Sequence, residues 1–124
     1  MSSEDAQRIA NNVAAVMQRI AEAAKRSGRD AADVCLVAVT KYVDTETTRT
    51  IFQAGCQNLG ESRPQQLWSK AEGLSDIEAR WHMVGHLQRN KVARTLPLVS
   101  LLHSMDSLRL ARELEREAAK LDRT

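Results

Sequence analysis

Val34-Cys35-Leu36-Val37-Ala38-Val39-Thr40-Lys41 is the stretch on which the fold turns. Six apolar residues run without interruption, with Gly28 before them and Asp44 after. A short apolar run between turn formers reads as a strand buried on both faces, as in parallel sheets. A lysine just past its carboxyl end sits where parallel α/β sheets and barrels keep their chemistry. Lysine combines a long stem with a nucleophilic amine, and apolar walls favour its neutral, reactive form. Residues of the same parity, Val39, Val37 and Cys35, would supply such walls. A Schiff base with an aldehyde is the reaction that suits such an amine best. The plainer reading is a strand-end lysine reaching into water, the commoner fate of lysines in general.

Outward from this stretch the chain alternates. Residues 4–26 carry Ile9, Val13, Val16, Met17, Ile20 and Ala24 at three-to-four spacing, which predicts an amphipathic helix capped by Ser2 or Ser3 and ended by Gly28. Asp44 reads as the N-cap of a helix over residues 45–54 that stops at Gly55. Residues 56–60 read as a second strand, and Pro64 opens a helix reaching residue 72. Residues 80–84 form a third strand candidate closing on Gly85, followed by a basic helix at 90–94 that ends near Pro97. Residues 99–103 are the fourth strand. Asp106 or Ser107 caps a last helix whose Leu110, Leu114, Ala118 and Leu121 share one face.

A helix followed by four strand-helix units implies an α/β protein with a parallel sheet and right-handed crossovers. A closed (β/α)8 barrel takes about 250 residues. The 124 residues here suffice for one domain of four units, an open sheet or half a barrel. Its open edges would need a partner to cover them.

Composition removes several function classes. With 43% hydrophobic and 27% charged residues, the chain is globular and not disordered. Four aromatic residues (Tyr42, Phe52, Trp68 and Trp81) are too few for a platform that stacks nucleic-acid bases. The net charge is +2, with both signs interspersed, so neither nucleic acid nor a membrane surface is an expected partner. No apolar run approaches the roughly 18 residues of a membrane span. Met1-Ser2-Ser3-Glu4-Asp5 does not resemble the start of a signal peptide. A cytoplasmic protein with reduced thiols is expected, Cys35 and Cys56 each serving as a small buried apolar residue.

Polar groups gather at the strand ends: Lys41, Glu61-Ser62-Arg63, Gly85-His86-Leu87-Gln88 and Ser104-Met105-Asp106. All fall on the carboxyl face, the functional side of this architecture. His82 reads first as a satisfied core histidine and second as a proton shuttle. His86 and His103 are two further candidate bases. No carboxylate stands at metal-ligand spacing from them, so no metal site is expected. Glu61 is expected to pair with an arginine at the rim; Arg89, Lys91 and Arg94 read first as a solvated helix face and second as a phosphate site near that helix start. Neither G-x-G-x-x-G, a Walker loop nor G-x-S-x-G occurs.

Five segments together carry a resemblance: Leu36-Val37-Ala38-Val39-Thr40-Lys41, Phe52-Gln53-Ala54-Gly55, Asn58-Leu59-Gly60-Glu61-Ser62, Arg80-Trp81-His82-Met83-Val84-Gly85-His86-Leu87-Gln88-Arg89-Asn90-Lys91 and His103-Ser104-Met105-Asp106-Ser107. They resemble the pyridoxal phosphate homeostasis proteins, single-domain relatives of the alanine racemase barrel, over nearly all of residues 4–121. The resemblance implies a parallel (β/α)8 TIM-like barrel of alanine racemase type, of which residues 1–124 would be the N-terminal half. It implies that Lys41 holds pyridoxal 5′-phosphate as a Schiff base, with Ser62, His82, Gly85 and Ser104 as the other cofactor-binding residues. It further implies intracellular pyridoxal phosphate homeostasis without established turnover, hence no catalytic residue and no metal.

Two departures stand out. The family usually has asparagine where this chain has Ser62, a shorter donor that leaves any cofactor contact weaker or water-mediated. Family members are also about twice as long. The absent half would supply the loops that grip the phosphate, so weak and reversible binding is expected of this chain alone. Racemases carry tyrosine-glycine-histidine after the lysine and a second domain. Here the residues are Tyr42-Val43-Asp44, which disfavours racemase activity. The alternatives are a self-associating half-barrel fragment without cofactor, or a vestigial racemase.

Overall fold

The computed structural model describes residues 2–123. Its helices begin where the sequence supplies caps. Ser2 accepts the Asp5 N–H at 3.1 Å and opens α1 (Ser3–Arg26), with Glu4 and Asp5 in the positive first turn. Asp44 caps α2 (Thr45–Gln53) by accepting the Thr47 N–H at 2.7 Å. Hydrogen bonds from Thr47, side chain first and backbone second, hold the Asp44 carboxyl below its ordinary range. Pro64 opens α3 (Pro64–Gly73). Between the third and fourth strands the expected basic helix is broken into three pieces. A 3-10 turn at Arg89–Lys91 leads into one α turn, α4 (Val92–Thr95), and a further 3-10 turn at Leu96–Leu98. Pro97 cannot donate to an α ladder, so α4 stops before it. Of the two cap candidates for the last helix, Ser107 does the work, accepting Leu110 N–H at 3.1 Å to start α5 (Leu108–Lys120).

The strands β1 (Val37–Val39), β2 (Asn58–Glu61), β3 (Arg80–Met83) and β4 (Val99–Leu102) form one parallel sheet in the order β1-β2-β3-β4. Each is shorter at an end than its apolar run suggests. Val39 pairs with Gly60, and Gly60 with His82. A register irregularity between Trp81 and His82 lets Trp81 pair with Val99 and His82 with Leu101, leaving Ser100 as the extra residue.

Alternation then sorts the side chains. Leu59, Trp81, Met83 and Val99 join Cys56, Leu67 and Leu74 in the main core, against which Leu36, Ala38, Ile51 and Phe52 pack. A second cluster of Leu87, Val92 and Leu110 lies under α4 and α5. On the opposite face a Cβ at Gly60 would lie 3.2 Å from Val37, 3.3 Å from Val84 and 3.6 Å from Val39, which places those three side chains together. That face is open: Val39 is 49% and Leu101 51% exposed. The expectation that the first strand is buried on both faces is therefore corrected. Only its Leu36 and Ala38 side meets the core. Cys56 is buried as expected, and burial raises its thiol pKa, but Cys35 is exposed. Among the described residues no helix is long and apolar enough to cross a membrane.

Candidate functional site

The last ladder bond of β1 runs from Thr40 N–H to the Gly60 carbonyl at 2.8 Å, and the chain then turns. Val43 N–H donates back to the Thr40 carbonyl at 3.2 Å, and Tyr42 takes a φ of 68°, left-handed and uncommon for a bulky residue. Lys41 therefore sits on a turn at the carboxyl edge of the sheet, outside the strand's alternation. It is exposed, with Nζ 5.8 Å from the Tyr42 ring centroid. The expected apolar enclosure by Val39, Val37 and Cys35 is corrected, because Thr40–Val43 bends the chain out of the strand's parity. Lys41 instead lines a cavity of about 330 Å³ whose wall includes Tyr42, Asp44, Glu61, Ser62 and Arg63.

Beneath this cavity lies a buried polar cluster. Thr40, Glu61 and Lys70 are 0%, 1% and 4% exposed. Lys70 Nζ, arriving from α3, donates to Glu61 Oε2 at 2.8 Å and to the Thr40 carbonyl at 2.6 Å. The Thr40 hydroxyl donates to the same Glu61 oxygen. Glu61 thus pairs with a buried lysine and not with a rim arginine. Removing two ions from water costs several kcal/mol each, so mutual pairing and added hydrogen bonds are required to hold them.

The other residues taken from the sequence occupy different places. Ser62 is half-buried and lines the Lys41 cavity. Gly85 packs against it so closely that a Cβ would meet the Ser62 carbonyl oxygen at 2.1 Å, an approach only glycine permits. His82 is 5% exposed and bonded at both nitrogens, Nε2 to Asn58 Oδ1 and Nδ1 to His103 Nε2, each at 2.9 Å. The Asn58 oxygen accepts, so His82 Nε2 carries the proton and Nδ1 accepts from His103. Burial, and secondarily the neighbouring His103, hold the His82 imidazole below its ordinary pKa. This is the satisfied histidine of the plainer reading. Ser104 Oγ donates to the Val84 carbonyl at 3.2 Å. Neither His82 nor Ser104 is brought to the wall of the Lys41 cavity.

His86 Nδ1 pairs with Asp106 Oδ2 at 2.9 Å beside a separate cavity of about 530 Å³. Arg94 covers the Trp68 ring, 4.3 Å from its centroid, and Trp68 Nε1 donates to Thr95 at 2.9 Å. Among the described residues no group of three His, Cys, Asp or Glu side chains could hold a metal. Lys70 was missed from the sequence, although a signal was there: Leu67, Lys70 and Ala71 share the inward stripe of α3, and Leu74 continues it at the C-cap.

Fold and site together define a parallel α/β domain with a lysine lining a cavity at the carboxyl edge of its first strand. No protein-family model matches the chain. The pyridoxal phosphate homeostasis protein of Aquifex aeolicus is 37% identical over 105 residues, covering 85% of this chain and 46% of that protein. Its counterpart in Pseudomonas aeruginosa is 37% identical over 109 residues, covering 88% and 47%. Among solved structures, PipY of Synechococcus elongatus with pyridoxal phosphate (PLP) bound gives a TM-score of 0.71 at 36% identity, over 84% of this chain and 50% of PipY. An unknown protein from Bifidobacterium adolescentis gives 0.88 at 34% identity, over 98% and 54%. Over most of its length the chain is similar to the pyridoxal phosphate homeostasis proteins. It spans about half the length of the curated relatives it matches.

Proposed function

We infer that this chain is part of a protein that binds pyridoxal 5′-phosphate for its intracellular homeostasis, with Lys41 as the covalent anchor. The observation that carries this reading is Lys41 lining the 330 Å³ cavity, in a chain 36% identical to PipY. The donors around that cavity fit the cofactor: an amine for its aldehyde, and the Ser62 hydroxyl and Arg63 guanidinium for its oxygens. When bound, the cofactor supplies an aldehyde carbon that a neutral primary amine attacks, forming a carbon–nitrogen double bond and releasing water. Lys41 presents the amine and Ser62 offers a hydroxyl from the wall. Gly85 allows the close approach that sets Ser62 in place, while His82 and Ser104 brace the strand ends behind them. The reading as a carrier without turnover is supported by the names of the relatives, which describe homeostasis and no reaction.

The sheet is read as half of a (β/α)8 barrel of alanine racemase type. Support comes from the sequential parallel order, from helices packed on one face, and from an open apolar face of the kind a barrel interior fills. That open face also favours a second reading, in which the 124-residue chain associates with itself.

Absorption spectroscopy separates these. Titrating pyridoxal phosphate into the chain should produce a visible band distinct from the free aldehyde, absent from Lys41→Ala. A wild-type protein without that band, or a Lys41→Ala protein that retains it, removes Lys41 from the role.

A further inference from the structure

We propose that the buried Lys70–Glu61 pair is a positioning device for Lys41, gripping the Thr40 carbonyl from which the lysine's turn departs. The inference rests on Lys41 being the anchor, and deepens that reading. Three elements converge on one residue, Thr40. Lys70 comes from α3, Glu61 ends β2, and Thr40 directly precedes Lys41. The Thr40 carbonyl accepts from Lys70 Nζ at 2.6 Å and from Val43 N–H at 3.2 Å, so both of its lone pairs are engaged. Its hydroxyl donates to Glu61 Oε2, and its own N–H is held by the Gly60 carbonyl. Every polar group of Thr40 is thus fixed, and the four-residue turn that carries Lys41 starts from an anchored peptide plane.

A buried ion pair is an expensive way to fill a helix–sheet interface. Apolar residues of similar volume usually serve stability as well or better. What a leucine or methionine at position 70 could not do is donate to the Thr40 carbonyl. Lys70 and Glu61 do not touch the cavity amine; they act through the backbone, as positioning residues.

The test compares the full wild-type chain with Lys70→Met, Glu61→Gln and the double Glu61→Leu/Lys70→Met variant. The double variant leaves no unpaired charge, so it should fold, checked by circular dichroism. The proposal expects it to lose roughly tenfold to a hundredfold in the rate at which borohydride traps pyridoxal phosphate on Lys41. Glu61→Gln, in the cavity wall, leaves the Lys70 cation without its counter-ion and should also trap more slowly than wild type. In the cofactor-free protein, the Val43 amide should exchange with solvent faster in the double variant than in wild type. Wild-type trapping and unchanged Val43 protection in a folded double variant would overturn the proposal. If wild type takes no cofactor at Lys41, the functional reading fails separately, and Val43 exchange still decides whether the pair clamps the turn.

Discussion

At the scale of single residues, His82 and Lys70 show what burial does to ionisable groups. Burial holds the His82 imidazole below its ordinary pKa of 6.5 in the folded state. The unfolded chain therefore binds the proton first as pH falls, and stability rises with pH through that region. The stabilisation is fully present above pH 6.5 and is lost as pH drops through the lower folded value. Urea midpoints should fall as pH decreases below that point, and His82→Gln should flatten the dependence. An equal slope in the variant would place the acid sensitivity elsewhere. Lys70→Met alone leaves the buried Glu61 unpaired and should cost about 3–5 kcal/mol in urea unfolding, more than the double replacement. That Lys41 and Ser62 would lie together was legible in the sequence, because strand ends in parallel sheets converge on one edge. Lys70 was not, since a charged residue on a helix reads as solvent-facing until its place on the apolar stripe is noticed. The same limit misdirected Glu61, whose partner is set by packing and not by spacing along the chain.

At the scale of elements, caps and close approaches decide where the site lies. The Asp44 cap starts α2 immediately after the Lys41 turn. Asp44→Ala should lower stability by about 1 kcal/mol, measured by thermal or urea unfolding, and a smaller loss would mean that α2 is held by packing alone. Gly85→Ala puts a Cβ against the Ser62 carbonyl, which the backbone can only escape by moving. It should cost roughly 2 kcal/mol or more. A neutral outcome would show that this approach is not required. Cap residues and three-to-four spacing made the long helices legible almost to the residue. The 90–94 region was misread as one helix because local basic composition says nothing of where the α ladder must break before Pro97. Strand ends were also overextended, since an apolar run continues past the point where neighbouring strands still pair.

The whole molecule is a sheet covered by helices on one side and open on the other. Four parallel strands could be counted from the alternation of apolar runs and caps, because each unit carries its own start and stop signals. Burial of β1 on both faces was not correctly foreseen. Its apolar residues do point to two sides, but Val37 is only half-buried and Val39 is exposed. An apolar face of this kind, flanked by the edge strands β1 and β4, favours association. Sedimentation of the 124-residue chain should show mass increasing with concentration. Val39→Thr with Leu101→Thr should shift it toward monomer, and a wild-type chain that stays monomeric throughout would refute this. Peptide mapping tests the role of Lys41 most directly. After exposure to pyridoxal phosphate and reduction with borohydride, one cofactor per chain is expected, located on the peptide that bears Lys41. Cofactor scattered over surface lysines, or missing from that peptide, would contradict it.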